Sequence, residues 1–188
     1  YAREMGYTIK LLGISKQLDG AIDVRVHPAM IRLTHPLASV RNEFNAIMYV
    51  GDMAGPITLT GRGAGSLPTA SAVVSDIVRI ATMEEGHDAP LTAGDGTRYV
   101  TPDRRVSRYY MRVHTEDRPG ILSKISGVLG DHDISIASVI QKEVNSPSVP
   151  LVIMTHEAGE DRLSASLAEI KKFEFIHGMT IIRVEDSF

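Results

Sequence analysis

The sequence predicts an α+β protein in two parts, and three observations carry that prediction. Residues 107–188 run through hydrophobic periods in the order strand, helix, strand, strand, helix, strand. Residues 1–86 hold several strand-like runs, a glycine-rich loop and one helical stripe. Between them, residues 87–106 are dense in Gly, Pro and Asp and lose apolar periodicity, so the domain boundary is placed there.

The opening Tyr1-Ala2-Arg3-Glu4-Met5-Gly6-Tyr7 reads as the last turns of a helix closed by Gly6. A helix without a beginning leads us to expect a piece of a longer protein. Residues 8–16 and 21–26 read as strands joined through Leu18-Asp19-Gly20, an antiparallel hairpin that His27-Pro28 is expected to end. The segment 28–42, with Pro28 and Pro36, reads as loop with a short helical turn. Strands follow at 45–50 and 57–60. Gly61-Arg62-Gly63-Ala64-Gly65-Ser66 then opens a helix. Ala70, Val73, Val74, Ile77 and Ala81 make one apolar face of it, with Asp76 on the polar side.

In the second part, Tyr109, Met111 and Val113 alternate with Tyr110, Arg112 and His114, the period of a strand with two unlike faces. This strand (107–115) ends in the acidic turn Glu116-Asp117-Arg118. Pro119 suits the first position of a helix over 119–130, with Ile121, Leu122, Ile125, Val128 and Leu129 inward and Gly130 closing it. A strand at 133–143, a turn at Asn145-Ser146-Pro147 and a strand at 149–156 follow. Glu160-Asp161 start a second helix at its positive end and Lys171-Lys172 finish it; Leu163, Leu167 and Ile170 form its core face. The last strand is 179–185. This order is the split βαβ, or ferredoxin-like, arrangement, with two helices on one face of an antiparallel sheet. Its other face needs a cover, and oligomerisation is expected to supply one.

The chain of 188 residues is 43% hydrophobic and 23% charged, ordinary for a globular protein. A net charge of −3 argues against nucleic acid as the main partner. The absence of cysteine excludes disulfides, zinc–thiolate sites and cysteine nucleophiles, and fits a cytoplasmic home. No apolar run is long enough to span a membrane. The seven histidines show no zinc-ligand spacing, so no metal site is assigned. Arg104-Arg105 reads as solvated charge.

Two places carry chemistry. At 117–122, Gly120 lets a ligand approach the free N–H groups of Gly120, Ile121 and Leu122. Those donors and the helix dipole would hold a carboxylate. The plain alternative is an ordinary helix entry, with Asp117 stabilising the positive end. The loop at 61–66 likewise follows a strand and opens a helix. With Ser66 in place of a third glycine it is neither a dinucleotide fingerprint nor a P-loop, and by spacing alone it is a structural turn.

Residues 108–185 resemble an ACT domain, a regulatory module that binds amino acids in biosynthetic enzymes. The matching residues are Asp117-Arg118-Pro119-Gly120 with Ile121-Leu122, the helix to Gly130, and Ile134-Ser135-Ile136. Residues 1–86 resemble the C-terminal half of the catalytic (substrate and dimerisation) region of homoserine dehydrogenase. There the match lies in Tyr7-Thr8-Ile9-Lys10-Leu11-Leu12-Gly13-Ile14, in Asn45-Ala46-Ile47, and in Gly63-Ala64-Gly65-Ser66-Leu67-Pro68-Thr69-Ala70-Ser71-Ala72-Val73 with Ser75-Asp76.

The resemblance implies an NAD(P)-dependent enzyme that interconverts L-aspartate 4-semialdehyde and L-homoserine, on the route to threonine and methionine. It also implies that the dinucleotide-binding domain, the catalytic lysine and the substrate-holding acids precede Tyr1. No catalytic residue is therefore assigned, Lys10 and Lys16 included, and the chain alone is expected to be inactive. Gly65, with Gly63 and Ala64, is expected to approach NADP or NAD. Arg62 stands where many relatives have Pro. Asp117, Gly120, Ile121, Leu122 and Ile134 are expected to bind an amino-acid effector, L-threonine, in a homodimer or homotetramer. A non-catalytic amino-acid sensor that only binds and dimerises is the alternative, and a plain assembly module a third; NADP reduction with L-homoserine separates them from the enzyme.

Overall fold

The strand expected around Tyr109–His114 becomes a strand of the larger sheet that is buried on both faces. The computed structural model describes residues 1–83, 96–142 and 148–186. Its strands and helices, in chain order, are β1 (Tyr7–Leu18), β2 (Ala21–Arg32), β3 (Phe44–Gly51), β4 (Gly55–Arg62), α1 (Ser66–Thr82), β5 (Arg98–Tyr99), β6 (Val106–Thr115), α2 (Ile121–Asp131), β7 (Ile136–Gln141), β8 (Val149–Thr155), β9 (Ala158–Gly159), α3 (Glu160–Ile170) and β10 (Ile176–Val184). Two compact units result: Tyr1–Arg32 with Arg98–Ser187, and Leu33–Thr97. The expected turn at 145–147 lies outside the described residues.

In the first unit the sheet runs β1-β2-β10-β6-β8-β7. The last four strands pair antiparallel and carry α2 and α3, the ferredoxin-like arrangement read from the sequence. Tyr109, Met111 and Val113 on one face of β6 pack with Ile121, Ile125, Val128 and Leu129 of α2 and Leu163 and Ile170 of α3. Each such side chain, fully buried, is stabilising by about 1.5–3 kcal/mol.

The opposite face is covered in part by the chain itself. Tyr110, Val152 and Met154 pack with Tyr7, Met30 and Val184, and Tyr1, Ala2 and Met5 lie against them. The first residues do form a closing helical turn. Gly6 has φ 81°, its N–H donates to Arg3 O at 3.0 Å, and that of Tyr7 donates to Ala2 O at 2.9 Å. Lys142, at the end of β7, holds this turn through Glu4 at 2.6 Å and stands over the Tyr1 ring at 5.4 Å. That contact holds the Glu4 carboxyl below its ordinary range and lifts the Lys142 ammonium.

Several expectations are corrected. Pro28 does not end the second strand; β2 continues to Arg32, with Pro28 opposite Leu11. Beside β10 the pairing begins only at Ala29, so the edge at Pro28 away from β1 serves no ladder, a position that accommodates proline. Pro119 is not the first helical residue, because Gly120 at φ 88° forms the N-cap and α2 starts at Ile121. Nor does Gly130 close that helix. Asp133 takes the left-handed conformation (φ 55°), its N–H donates to Gly130 O, and that of Ile134 donates to Leu129 O. The cap is a Schellman motif with Leu129 and Ile134 as its apolar contact.

The compact units cut across the two parts read from the sequence. β1 and β2 join the same sheet as the second part, β5 pairs with β2, and Arg105 is not solvated. Its Nε donates to Asp23 Oδ1 at 2.8 Å, and Arg25 donates to Asp23 Oδ2. Arg25 also meets Glu185 Oε1 at 2.5 Å, and Lys16 meets Glu185 Oε2 at 3.1 Å. Asp23 is fully buried, so the pairs tie β1, β2, the entry to β6 and the exit of β10 through charges withheld from water.

In the second unit, β3 and β4 pair antiparallel from Phe44–Arg62 to Gly51–Gly55, and α1 follows. The apolar stripe of α1 has its period, but the helix has no buried residue and Ile77 is 60% exposed. One two-stranded ribbon and one helix offer too little surface to bury that face. His35 caps a short 3-10 helix, Pro36–Ser39, by accepting the Leu37 N–H at 3.1 Å, and burial lowers its pKa.

Two stability changes follow. Asp23→Asn leaves Arg25 and Arg105 facing an uncharged amide and should cost about 3–5 kcal/mol in denaturant unfolding; a loss below about 1 kcal/mol would show that the network is not structural. Gly120→Ala should cost about 1–2 kcal/mol for its left-handed backbone, whereas Gly130→Ala, inside α2 with open space at the Cβ position, should stabilise by about 0.5–1 kcal/mol. Equal effects at the two glycines would contradict this placement of the caps.

Candidate functional site

The turn between β6 and α2 frames a cavity of about 430 Å³, lined by the whole run Thr115–Leu122 with Gln141 of β7 and Leu151 of β8. The strand period turns Thr115 to the same face as Tyr109, Met111 and Val113, so it lies under the start of α2. The first helical bond of α2 is from the Lys124 N–H to Gly120 O at 3.1 Å. The N–H groups of Ile121 and Leu122 therefore have no intrahelical acceptor, and no side chain caps this end.

Asp117 stands at the positive end of α2 and its Oδ1 accepts from Gln141 Nε2 at 3.1 Å. Arg118 is engaged with Glu116 at 3.0 Å and stands over the Phe175 ring at 5.8 Å, beside Lys124 at 5.6 Å. The cavity thus offers backbone donors, the Asp117 carboxylate, the Glu116–Arg118 ion pair and the apolar walls of Ile121 and Leu151. Such a set suits a small molecule bearing both a carboxylate and an ammonium group.

Of the residues expected to bind an effector, Asp117, Gly120, Ile121 and Leu122 line this cavity. Ile134 is not with them: it is 3% exposed in the core beneath α2 and does not line the cavity. Thr115, Gln141 and Leu151 were missed. Thr115 could have been placed by extending the alternation of β6 by one step. Gln141 comes from a strand distant in sequence, and no local pattern aims it at the turn.

The second place is the glycine loop. The Gly63 N–H donates to Glu43 O at 2.7 Å, continuing the ribbon by one bond. A Cβ on Gly63 would fall 2.0 Å from Asn45 Nδ2, so the loop passes directly against that side chain. Gly65 is the N-cap of α1 at φ 120° and ψ 151°, where side chains are disfavoured. Its carbonyl accepts the Thr69 N–H at 3.1 Å. The N–H groups of Ser66 and Leu67 remain without intrahelical acceptors, Pro68 has none, and no side chain caps the end. Ala64 lies exposed between the two glycines. Arg62 stacks over Phe44 at 5.6 Å and lies 3.7 Å from Glu43, which holds the residue before the loop. The exposed donors and bare backbone of this loop fit a polar edge of a dinucleotide.

Among the described residues no group of three potential metal ligands comes together. No described helix is long and apolar enough to cross a membrane. Tyr109, whose hydroxyl donates to Glu160 Oε2 at 2.9 Å, has its phenol pKa raised by burial and by that carboxylate. Arg183 clamps the same carboxylate at 2.9 and 2.5 Å, and the trio fixes the start of α3 to β6 and β10.

Comparison with known proteins agrees with both halves. Residues 1–78 match the homoserine dehydrogenase family and residues 109–175 match the ACT domain family. The chain is 38% identical to a homoserine dehydrogenase of Neisseria gonorrhoeae, over 98% of this chain and 45% of that protein. It is 35% identical to that of Corynebacterium glutamicum, over 98% and 43%. The crystal structure of a homoserine dehydrogenase from Thiobacillus denitrificans superposes with a TM-score of 0.83 at 37% identity, over 99% of this chain and 44% of that one. The chain thus spans less than half the length of the relatives it matches. Residues 1–78 belong to the homoserine dehydrogenase family and residues 109–175 are an ACT domain.

Proposed function

We propose that this chain is the C-terminal, amino-acid-sensing part of an NAD(P)-dependent homoserine dehydrogenase. The observation that carries the reading is the order of the two family matches, with an uncapped helix start exposed in each. The whole protein interconverts L-aspartate 4-semialdehyde and L-homoserine, in the biosynthesis of threonine and methionine. The nicotinamide cofactor, NADP or NAD, supplies the hydride acceptor or donor when bound.

The part played by this chain is positional. Gly63, Ala64 and Gly65 present backbone where a side chain would block approach, and the N–H groups of Ser66 and Leu67 can hold a polar edge of the cofactor. The proton-transfer group and the groups that hold the substrate lie outside these residues, so the 188-residue chain alone should not turn over. At the second place, Asp117 holds the ammonium of an effector, L-threonine, and the N–H groups of Ile121 and Leu122 hold its carboxylate. The assembly is a cytoplasmic homodimer or homotetramer, with the exposed apolar stripe of α1 available for burial.

Two measurements test the reading. The whole protein should reduce NADP or NAD with L-homoserine, and Gly65→Val should raise the cofactor KM by about tenfold, the weight of one lost hydrogen bond; an unchanged KM removes Gly65 from the cofactor site. Calorimetry with millimolar L-threonine should show saturable heat, and a flat titration would count against the effector reading.

A further inference from the structure

We propose that Thr115 tunes the cavity beside α2 toward amino acids that carry a side-chain hydroxyl, an inference that rests on the effector reading above. Thr115 lines the cavity and is 1% exposed, and its Oγ1 has no hydrogen-bond partner among the described residues. A buried hydroxyl without a partner is destabilising, and native interiors seldom retain one without a use. Valine has nearly the same shape without that cost, and Val113, two residues earlier on the same face, shows that β6 accepts it. Stability alone does not account for a hydroxyl at this position.

The other polar groups of the cavity already have roles. Gln141 Nε2 is committed to Asp117 Oδ1, and Glu116 and Arg118 are paired with each other at 3.0 Å. Asp117 suits an ammonium group, and the open N–H groups at the start of α2 suit a carboxylate. The Thr115 hydroxyl, able both to donate and to accept, is left for a third polar group on the ligand. Ile121 and Leu151 provide apolar wall beside it. A carboxylate, an ammonium, a hydroxyl and a small apolar group together describe a short hydroxylated α-amino acid. L-Valine has the shape of L-threonine with the hydroxyl replaced by methyl, so the pair isolates this one contact. A site with a polar group placed for a ligand hydroxyl rejects the analogue that lacks it.

The test is calorimetry of the intact protein with L-threonine and L-valine, on wild type, Thr115→Val and Thr115→Ser, with melting temperatures of the unliganded forms. Wild type should prefer L-threonine by about tenfold or more, the weight of one buried hydrogen bond. Thr115→Val should bring the two affinities together, Thr115→Ser should keep the preference, and unliganded Thr115→Val should melt no lower than wild type. A preference that survives in Thr115→Val overturns the inference, as does equal binding of both amino acids by wild type, the pattern an ordered water on Oγ1 would give. A Thr115→Val protein that melts well below wild type, or fails to fold, assigns the hydroxyl a structural partner and also overturns it. Binding of neither amino acid by wild type removes the effector reading and this inference together.

Discussion

Burial of β6 on both faces is the constraint on which the rest of the larger unit depends. An amphipathic strand needs one cover, but β6 has two. Tyr109, Met111 and Val113 require the helices, while Tyr110 requires a layer on the other side. That second layer is built from Tyr7, Met30 and Val184, with the turn that holds Tyr1, Ala2 and Met5 against it. The hairpin of β1 and β2 therefore belongs with the ACT-domain sheet in structure, although it lies far from it in sequence. Both ends of β6 then become fixed points: Arg105 precedes its start, and Thr115, at its end, opens the cavity turn.

The charges at the start of β6 show how such a strand is held in register. Asp23 is fully buried and accepts from two guanidinium groups, and Arg25 passes on to Glu185, which Lys16 also reaches. Desolvating these ions is costly, and an apolar cluster of equal volume could match them in stability. What the ions add is direction. A slip of β6 by one residue would take Arg105 from Asp23, and a slip of β10 would take Glu185 from Arg25 and Lys16. At the same end, Glu160 accepts from Tyr109 and Arg183, which joins α3 to the same two strands.

Much of this was legible in the sequence, for stated reasons. The order and type of six of the last seven elements, all but the two-residue β9, followed from period-2 and period-3.6 patterns strong enough to survive tertiary context. The cavity turn followed from the run Asp117-Arg118-Pro119-Gly120 between a strand and a helix. What could not be read depended on partners far apart in the chain. Arg105 looked like linker charge because Asp23 lies 82 positions earlier. Pro28 looked like a strand end because only the assembled sheet shows which of its edges is unpaired. Ile134 was assigned to the site from its place in a motif, but it completes the cap of α2 against Leu129 and belongs to the core. Gln141 required the order of β8 and β7 before it could be aimed at Asp117.

Among the described residues three α-helices start in two different ways, and the difference matches the proposed sites. All three have glycine at the N-cap and none has a side-chain cap there. At α3 the sequence completes the helix itself: Glu160 and Asp161 place two carboxylates in its first turn, where the dipole favours them. The first turns of α1 and α2 hold no acidic residue. Their positive ends face the glycine loop and the cavity, respectively, with donors uncommitted. A first-turn carboxylate on either helix would add some stability, but it would compete with the anionic or polar group that each site is proposed to hold. Thr115 repeats this pattern beneath α2: its oxygen is buried without a partner where a methyl group would fit. Stability is complete at the element that only supports the sheet and incomplete at the two that are proposed to meet ligands, as expected where binding rather than folding sets the residue.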